Sequence, residues 1–229
     1  MSNRKSAYEE VLSLFDVLSK SVPKYVDGKN AVIEMKNGGS RNWRQMEWIG
    51  FWFEFFFEKN LIPVLGGTRG PTFGTTQFDF KKKYVWDLKA HPSEAKSLIL
   101  NDQNAIKNCV ISEKGLGFII ISGIAKYDNS KGEFKKWHDN LKGGTSAYEK
   151  NRVARGASSR RRKISFEPEN LHALWFDDVS DINSAVRDGW LKSFQTDMKN
   201  SNGQPRPAKF QFNLDAVSKN NMIAEVKIN

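Results

Sequence analysis

The chain has 229 residues, one cysteine, and 36 Lys and Arg against 26 Asp and Glu, a formal net charge of +10. That length suffices for one substantial domain, and no Pro/Gly/Ser linker or break in composition divides it, so a single domain over 1–229 is expected. The lone Cys109 excludes an internal disulfide and a multi-cysteine zinc site and suits a reducing cytoplasm, while His91, His138 and His172 lie too far apart for metal-ligand spacing. No apolar signal core opens the chain, and no run reaches the roughly eighteen apolar residues of a membrane span.

In chain order, Tyr8 to Val22 carries apolar residues at helical spacing and reads as an amphipathic helix. Arg41 to Asn60 reads as a second helix, its aromatic run from Trp48 onward too broad for a surface stripe and interrupted by Glu47, Glu54 and Glu58. At 100° per residue these three glutamates share one stripe, the expected solvated edge of a core helix. A Gly/Thr-rich loop, Gly66 to Thr76, lacks the GK[ST] ending of a nucleotide-binding loop and opens into a strand, so it is no cofactor cradle. Two short strands joined by Lys81, Lys82 and Lys83 are expected over residues 77–91, and residues 97–115 are of mixed pattern. Leu116 to Asp128 is a long apolar run suited to a central strand covered on both faces. A short helix ending at Gly143, a strand from Leu171, a helix from Ser180 or Asp181, and late paired strands KFQFNLD and MIAEVKI complete an α/β pattern: a mixed central sheet flanked by helices.

The chemistry concentrates in QFDFKKKYVWDLKAH, residues 77–91. Side chains alternate along a strand, so Asp87 and Lys89 project from one side while Trp86 and Leu88 point into packing on the other. With Asp79 leaving the preceding strand on that side, two carboxylates and one ammonium converge. Two such carboxylates suit a hard divalent cation such as Mg²⁺, and an adjacent lysine can polarise water, which is the apparatus of phosphodiester hydrolysis.

This segment resembles the active-site hairpin of the PD-(D/E)xK nucleases, with Asp79 matching the acid of one strand and Asp87-Leu88-Lys89 the acid-x-Lys of the next. Phe78 stands where the nominal proline falls, and seven residues separate the two acids. The resemblance implies a restriction-endonuclease-like fold, Mg²⁺ on Asp79 and Asp87, water activation by Lys89, and a helix-borne glutamate completing the site, Glu47 first and Glu54 in reserve. It further implies a bacterial or archaeal type II restriction endonuclease cutting a short palindromic duplex DNA site as a homodimer. A repair or recombination nuclease of the same superfamily, or a non-catalytic DNA-binding module, are the other readings.

Net charge agrees, because a basic surface favours phosphate backbones. From Lys142 to Lys163 eight basic residues face the single Glu149. Arg152, Arg155, Arg160, Arg161, Arg162 and Lys163 are the expected DNA contacts, together with Arg69 in the glycine loop and Lys81, Lys82 and Lys83 at the hairpin tip. His138 is left outside the site, and His91 has a claim by position only.

Overall fold

The computed structural model describes residues 3–157, 161–199 and 203–228. Helix α1 (Asn3–Ser21) leads through a two-residue strand β1 (Val26–Asp27) into α2 (Gly28–Asn37). A 3-10 turn at Arg41–Arg44 precedes α3 (Trp48–Asn60) and the short α4 (Ile62–Leu65). Two hairpins follow, β2 (Thr72–Phe73) with β3 (Thr76–Gln77), then β4 (Phe80–Lys81) with β5 (Val85–Pro92). After β6 (Leu98–Asp102) come α5 (Gln103–Glu113), β7 (Leu116–Tyr127), α6 (Glu133–Leu141), α7 (Ala147–Ala154) and β8 (Lys163–Phe176). The chain closes with α8 (Val179–Arg187), β9 (Leu191–Phe194), β10 (Lys209–Phe212), a 3-10 turn at Leu214–Ala216, and β11 (Met222–Lys227).

The architecture is a mixed α/β fold around a central sheet ordered β1-β8-β7-β5-β4, with β11 also on β8. Among the described residues β5 and β7 are the one parallel pair, Asp87 beside Phe118 and Lys89 beside Ile120, and α5 lies in the connection between them. The 14-residue β8 gives one edge to β7 and shares the other between β1 and β11. A second sheet, β6-β10-β9, is antiparallel.

Both faces of the central sheet are dry, which explains the unbroken apolar pattern of β7. On one face Trp86, Leu88, Ile119, Ile121, Ala173 and Trp175 meet α1, α2 and α3. Trp48, Trp52, Phe53 and Phe57 of α3 are fully buried there, each contributing roughly 1.5–3 kcal/mol of burial. On the other face Val85, Phe118, Ile120, Leu174 and Phe176 meet α5, α8 and the second sheet. At Gly117 the rule is steric: a Cβ would stand 2.1 Å from the Trp86 ring.

Several expected elements shift. The second helix begins at Trp48, because Ser40 caps a separate 3-10 turn and Glu47 leaves the helical path. Residues 97–115 divide into β6 and α5 at Asp102, whose carboxylate accepts from the Ala105 N–H at 2.9 Å. The helix expected from Ser180 is capped by Asp178 and ends at Arg187, its tail becoming β9. The two late strands do not pair with each other: β10 joins β6 and β9, and β11 joins β8. Helix α2, which the sequence pattern does not announce, is capped by Asp27, which accepts from the Asn30 N–H at 2.9 Å.

Candidate active site

Strand β4 covers β5 only at Val85 and Trp86, so the edge of β5 is open from Asp87 onward. Asp79, just before β4, turns its carboxylate to that edge, where Oδ2 accepts from the Leu88 N–H at 2.7 Å. Asp87 and Lys89 share the face opposite Trp86 and Leu88, as the alternation requires, and form an ion pair. The Asp87 side chain is almost wholly enclosed; its second oxygen accepts from the Asn101 amide of β6 at 2.8 Å. Glu54, halfway along α3, completes the group from the opposite layer.

The charges of these residues bear on one another. Burial, partly offset by Lys89 and reinforced by Asp87, pushes the Glu54 carboxyl from its ordinary 4.5 up to about 7. Burial, followed by the charges of Asp87 and Glu54, holds Asp79 well above the carboxylate range, against the pull of Lys89 and the Leu88 hydrogen bond. Burial alone would lower the Lys89 pKa, but Asp87, Asp79 and Glu54 outweigh it and raise it. Three carboxylates against one ammonium leave an excess of negative charge, relieved by protons. An all-oxygen, carboxylate-rich set with that excess fits a hard divalent cation. As the side chains stand, Lys89 occupies one Asp87 oxygen, and among the described residues no group of three or more His, Cys, Asp or Glu side chains is gathered to hold a metal.

A cleft of about 450 Å³ opens beside Glu54, Asp79 and Leu88, with Arg41, Lys59 and Arg69 among its lining residues. Arg69 donates to both Glu58 carboxylate oxygens at 2.8 and 2.9 Å, and Lys59 sits 5.9 Å from the Phe55 ring centre. Arg41, which is not among the expected DNA contacts, is exposed at this cleft. On the other side, Lys209 of β10 has its pKa lowered by burial and then by the Lys89 charge, which places a second ammonium within electrostatic reach of the pair.

Glu47 is corrected. It precedes α3, is half exposed and pairs with Lys163, whereas Glu54 lies two turns farther along the helix, about 10 Å, at the carboxylates. A glutamate flanked on both sides by Trp52-Phe53 and Phe55-Phe56-Phe57 was the sequence signal, since an isolated carboxylate in so apolar a run needs partners.

The expected DNA contacts are also redistributed. Lys81 pairs with Glu113 at 2.6 Å. Lys83 bonds Ser6 and lies 5.3 Å from the Tyr84 ring centre, while Glu10 of α1 accepts from the Lys83 and Tyr84 N–H groups and the Trp86 indole, tying the hairpin tip to the body. Lys82 is exposed. Arg162 is buried and faces Asp139 at 4.0 Å, so it is a core anchor and not a free contact. Arg161 donates to the Asp128 carbonyl at 3.1 Å and stacks 5.4 Å from the Tyr127 ring centre. Arg155 is exposed on its C-cap, Arg152 is half-buried on α7, and Arg160 lies outside the described residues. His138 is fully buried with Nε2 at 2.8 Å from the Trp43 carbonyl, a packing role.

No family model matches the chain, and no curated protein or solved structure matches it. Among the described residues no helix is long and apolar enough to cross a membrane.

Proposed function

We propose that the protein is a Mg²⁺-dependent DNA endonuclease of the PD-(D/E)xK kind, acting as a type II restriction enzyme. The observation that carries this reading is geometric: the Asp79 carboxylate sits on the Leu88 N–H beside the Asp87–Lys89 ion pair at the open edge of β5, and Glu54 lines the same cleft as Asp79. Asp79, Asp87 and Glu54 would hold the cation. Bound there, it supplies charge neutralisation at the scissile phosphate and lowers the pKa of a coordinated water.

The remaining roles belong to the chain. Asn101 fixes one Asp87 oxygen and so the orientation of that carboxylate. Lys89, released from its ion pair when the carboxylates are compensated, directs its N–H groups at the attacking water and holds the hydroxide that forms. Arg41 and Lys59 draw the substrate backbone to the cleft. A homodimer matches a palindromic duplex site by two-fold symmetry.

The test is incubation of the purified chain with bacteriophage DNA, with Mg²⁺ or with EDTA, followed by sequencing of fragment ends. Discrete Mg²⁺-dependent fragments sharing one end sequence are expected. Cleavage confined to branched or damaged DNA would transfer the site to repair or recombination. Metal-independent binding without cleavage, unchanged in Asp87→Ala, would leave a binding module.

A further inference from the structure

Hairpin β2-β3 divides two openings. Gln77 faces the carboxylate cleft, whereas its neighbours Thr75 and Thr76 line a second cavity of about 520 Å³. The other walls of that cavity are the first turns of α5, with Asn104 and Asn108, and the segment before β10, with Arg206. Its size is that of an ordinary ligand site.

Asp102 and Gln103 of this wall are spent, Asp102 on the Ala105 N–H and Gln103 on Ser193 and the Lys209 carbonyl, but three polar side chains are not. Asn104 and Asn108 are four residues apart, so both amides project from one face of α5. Among the described residues neither amide makes a hydrogen bond, and the Arg206 Nε is buried without a partner. Two amides and a guanidinium lining one cavity give it donors and acceptors that a ligand's polar edges can pair with. In the basic segment 142–163, by contrast, Arg161 and Lys163 are committed to the Asp128 carbonyl and to Glu47.

Resting on the nuclease reading above, we infer that this cavity reads base edges, with Asn104, Asn108 and Arg206 as specificity-determining residues. Asparagine offers the paired donor and acceptor that match adenine N6 and N7, and arginine the fork that matches guanine O6 and N7. The position agrees with that role, since Gln77 lines the carboxylate cleft and the adjacent Thr76 lines this cavity.

The experiment is cleavage of a randomised duplex library by the full chain with Mg²⁺, sequencing fragment ends for wild type, Asn104→Ala, Asn108→Ala, Arg206→Ala and Arg206→Lys. The wild type is expected to yield one consensus. Each variant is expected to lose one or more of its positions, or to cut the original site about 5- to 150-fold more slowly. Affinity for unrelated duplex in EDTA should be retained, and Arg206→Lys, which keeps charge but not the fork, should not restore selectivity. Asn104 and Asn108 are exposed helix positions whose replacement leaves the fold intact, and urea unfolding checks Arg206→Ala.

Unchanged consensus and rate in all variants would overturn the inference and leave the restriction-enzyme reading standing; wild-type cleavage without any shared sequence would overturn both the inference and the restriction assignment, leaving a nonspecific metal-dependent nuclease. Absence of wild-type cleavage defeats the nuclease reading instead, and the same library is then enriched by binding in EDTA. A motif enriched by the wild type and lost in the variants supports the cavity, and no enriched motif overturns it.

Discussion

Replacing Glu54 with Gln tests the electrostatic account without removing packing volume. Glu54 carries a pKa of about 7 against an ordinary 4.5, caused first by burial, with Lys89 opposing and Asp87 adding. The folded state therefore holds a proton that the unfolded chain has lost between those values, so stability falls as pH rises from about 4.5 to about 7 and is level above. The shift corresponds to about 3 kcal/mol as an upper bound, since the same protons also answer to Asp79. Urea unfolding in EDTA across pH 4 to 8 should show Glu54→Gln more stable than wild type at pH 8 by up to that amount. The gap should close toward pH 4.5. Mg²⁺ at pH 8 should then stabilise wild type more than the variant, because only the wild type retains all three carboxylates. Parallel pH profiles, or a Gln variant less stable than wild type at pH 8, would refute the argument that excess negative charge accumulates at this edge.

Lys89→Ala should lower Mg²⁺-dependent cleavage by about 10²- to 10⁴-fold and Asp87→Ala should abolish it, while Asn101→Ala, which only loosens Asp87, should cost about 10- to 100-fold; single-turnover rates at saturating DNA separate these. Arg41→Ala should weaken DNA binding and reduce the slope of log affinity against log salt by about 1. Arg162→Ala should leave that slope unchanged and cost roughly 1–3 kcal/mol of stability, through lost packing and a less compensated Asp139. A titration series in salt beside a urea melt assigns each arginine to one behaviour. Gly117→Ala forces a methyl into the Trp86 ring and should lower the urea midpoint by the equivalent of about 1–3 kcal/mol, with no effect on metal dependence.

What the sequence disclosed follows the range over which its periods act. Asp87 and Lys89 were legible because alternation along one strand fixes their common face, and Asp79 because a short hairpin returns it to the same edge. The apolar run of β7 declared a strand covered on both sides. The stripe shared by Glu47 and Glu54 was also visible, but a stripe gives angle and not height along the axis, so the choice between them needed the crossing of α3 over β5. Asn101 and Lys209 were beyond reach, since they arrive through the packing of β6 and β10 against the central sheet, a long-range arrangement that no local spacing encodes. The pairing of the late strands failed for a related reason: Phe210 and Phe212 fill the core under α5 and α8, whereas Ala224 of β11 faces the core under α1 to α3.

Charge was the least transferable signal, because a count of arginines does not tell which are spent. The densest basic stretch in the sequence supplies internal anchors: Arg162 to Asp139, Arg161 to the Asp128 carbonyl and Lys163 to Glu47, with acceptors drawn from positions 23 to 116 residues away. Cations near the carboxylates come instead from isolated positions, Arg41, Lys59 and Lys209, none conspicuous in composition. For a polyanionic substrate this division has a consequence. Anchored arginines stiffen the wall at the start of β8, while sparse cations at the cleft leave the negative excess of Asp79, Asp87 and Glu54 to be relieved by protons or, on the proposed reading, by a divalent ion. Productive seating of a phosphate at the site is then expected to require the metal, even where nonspecific attraction to the basic surface does not.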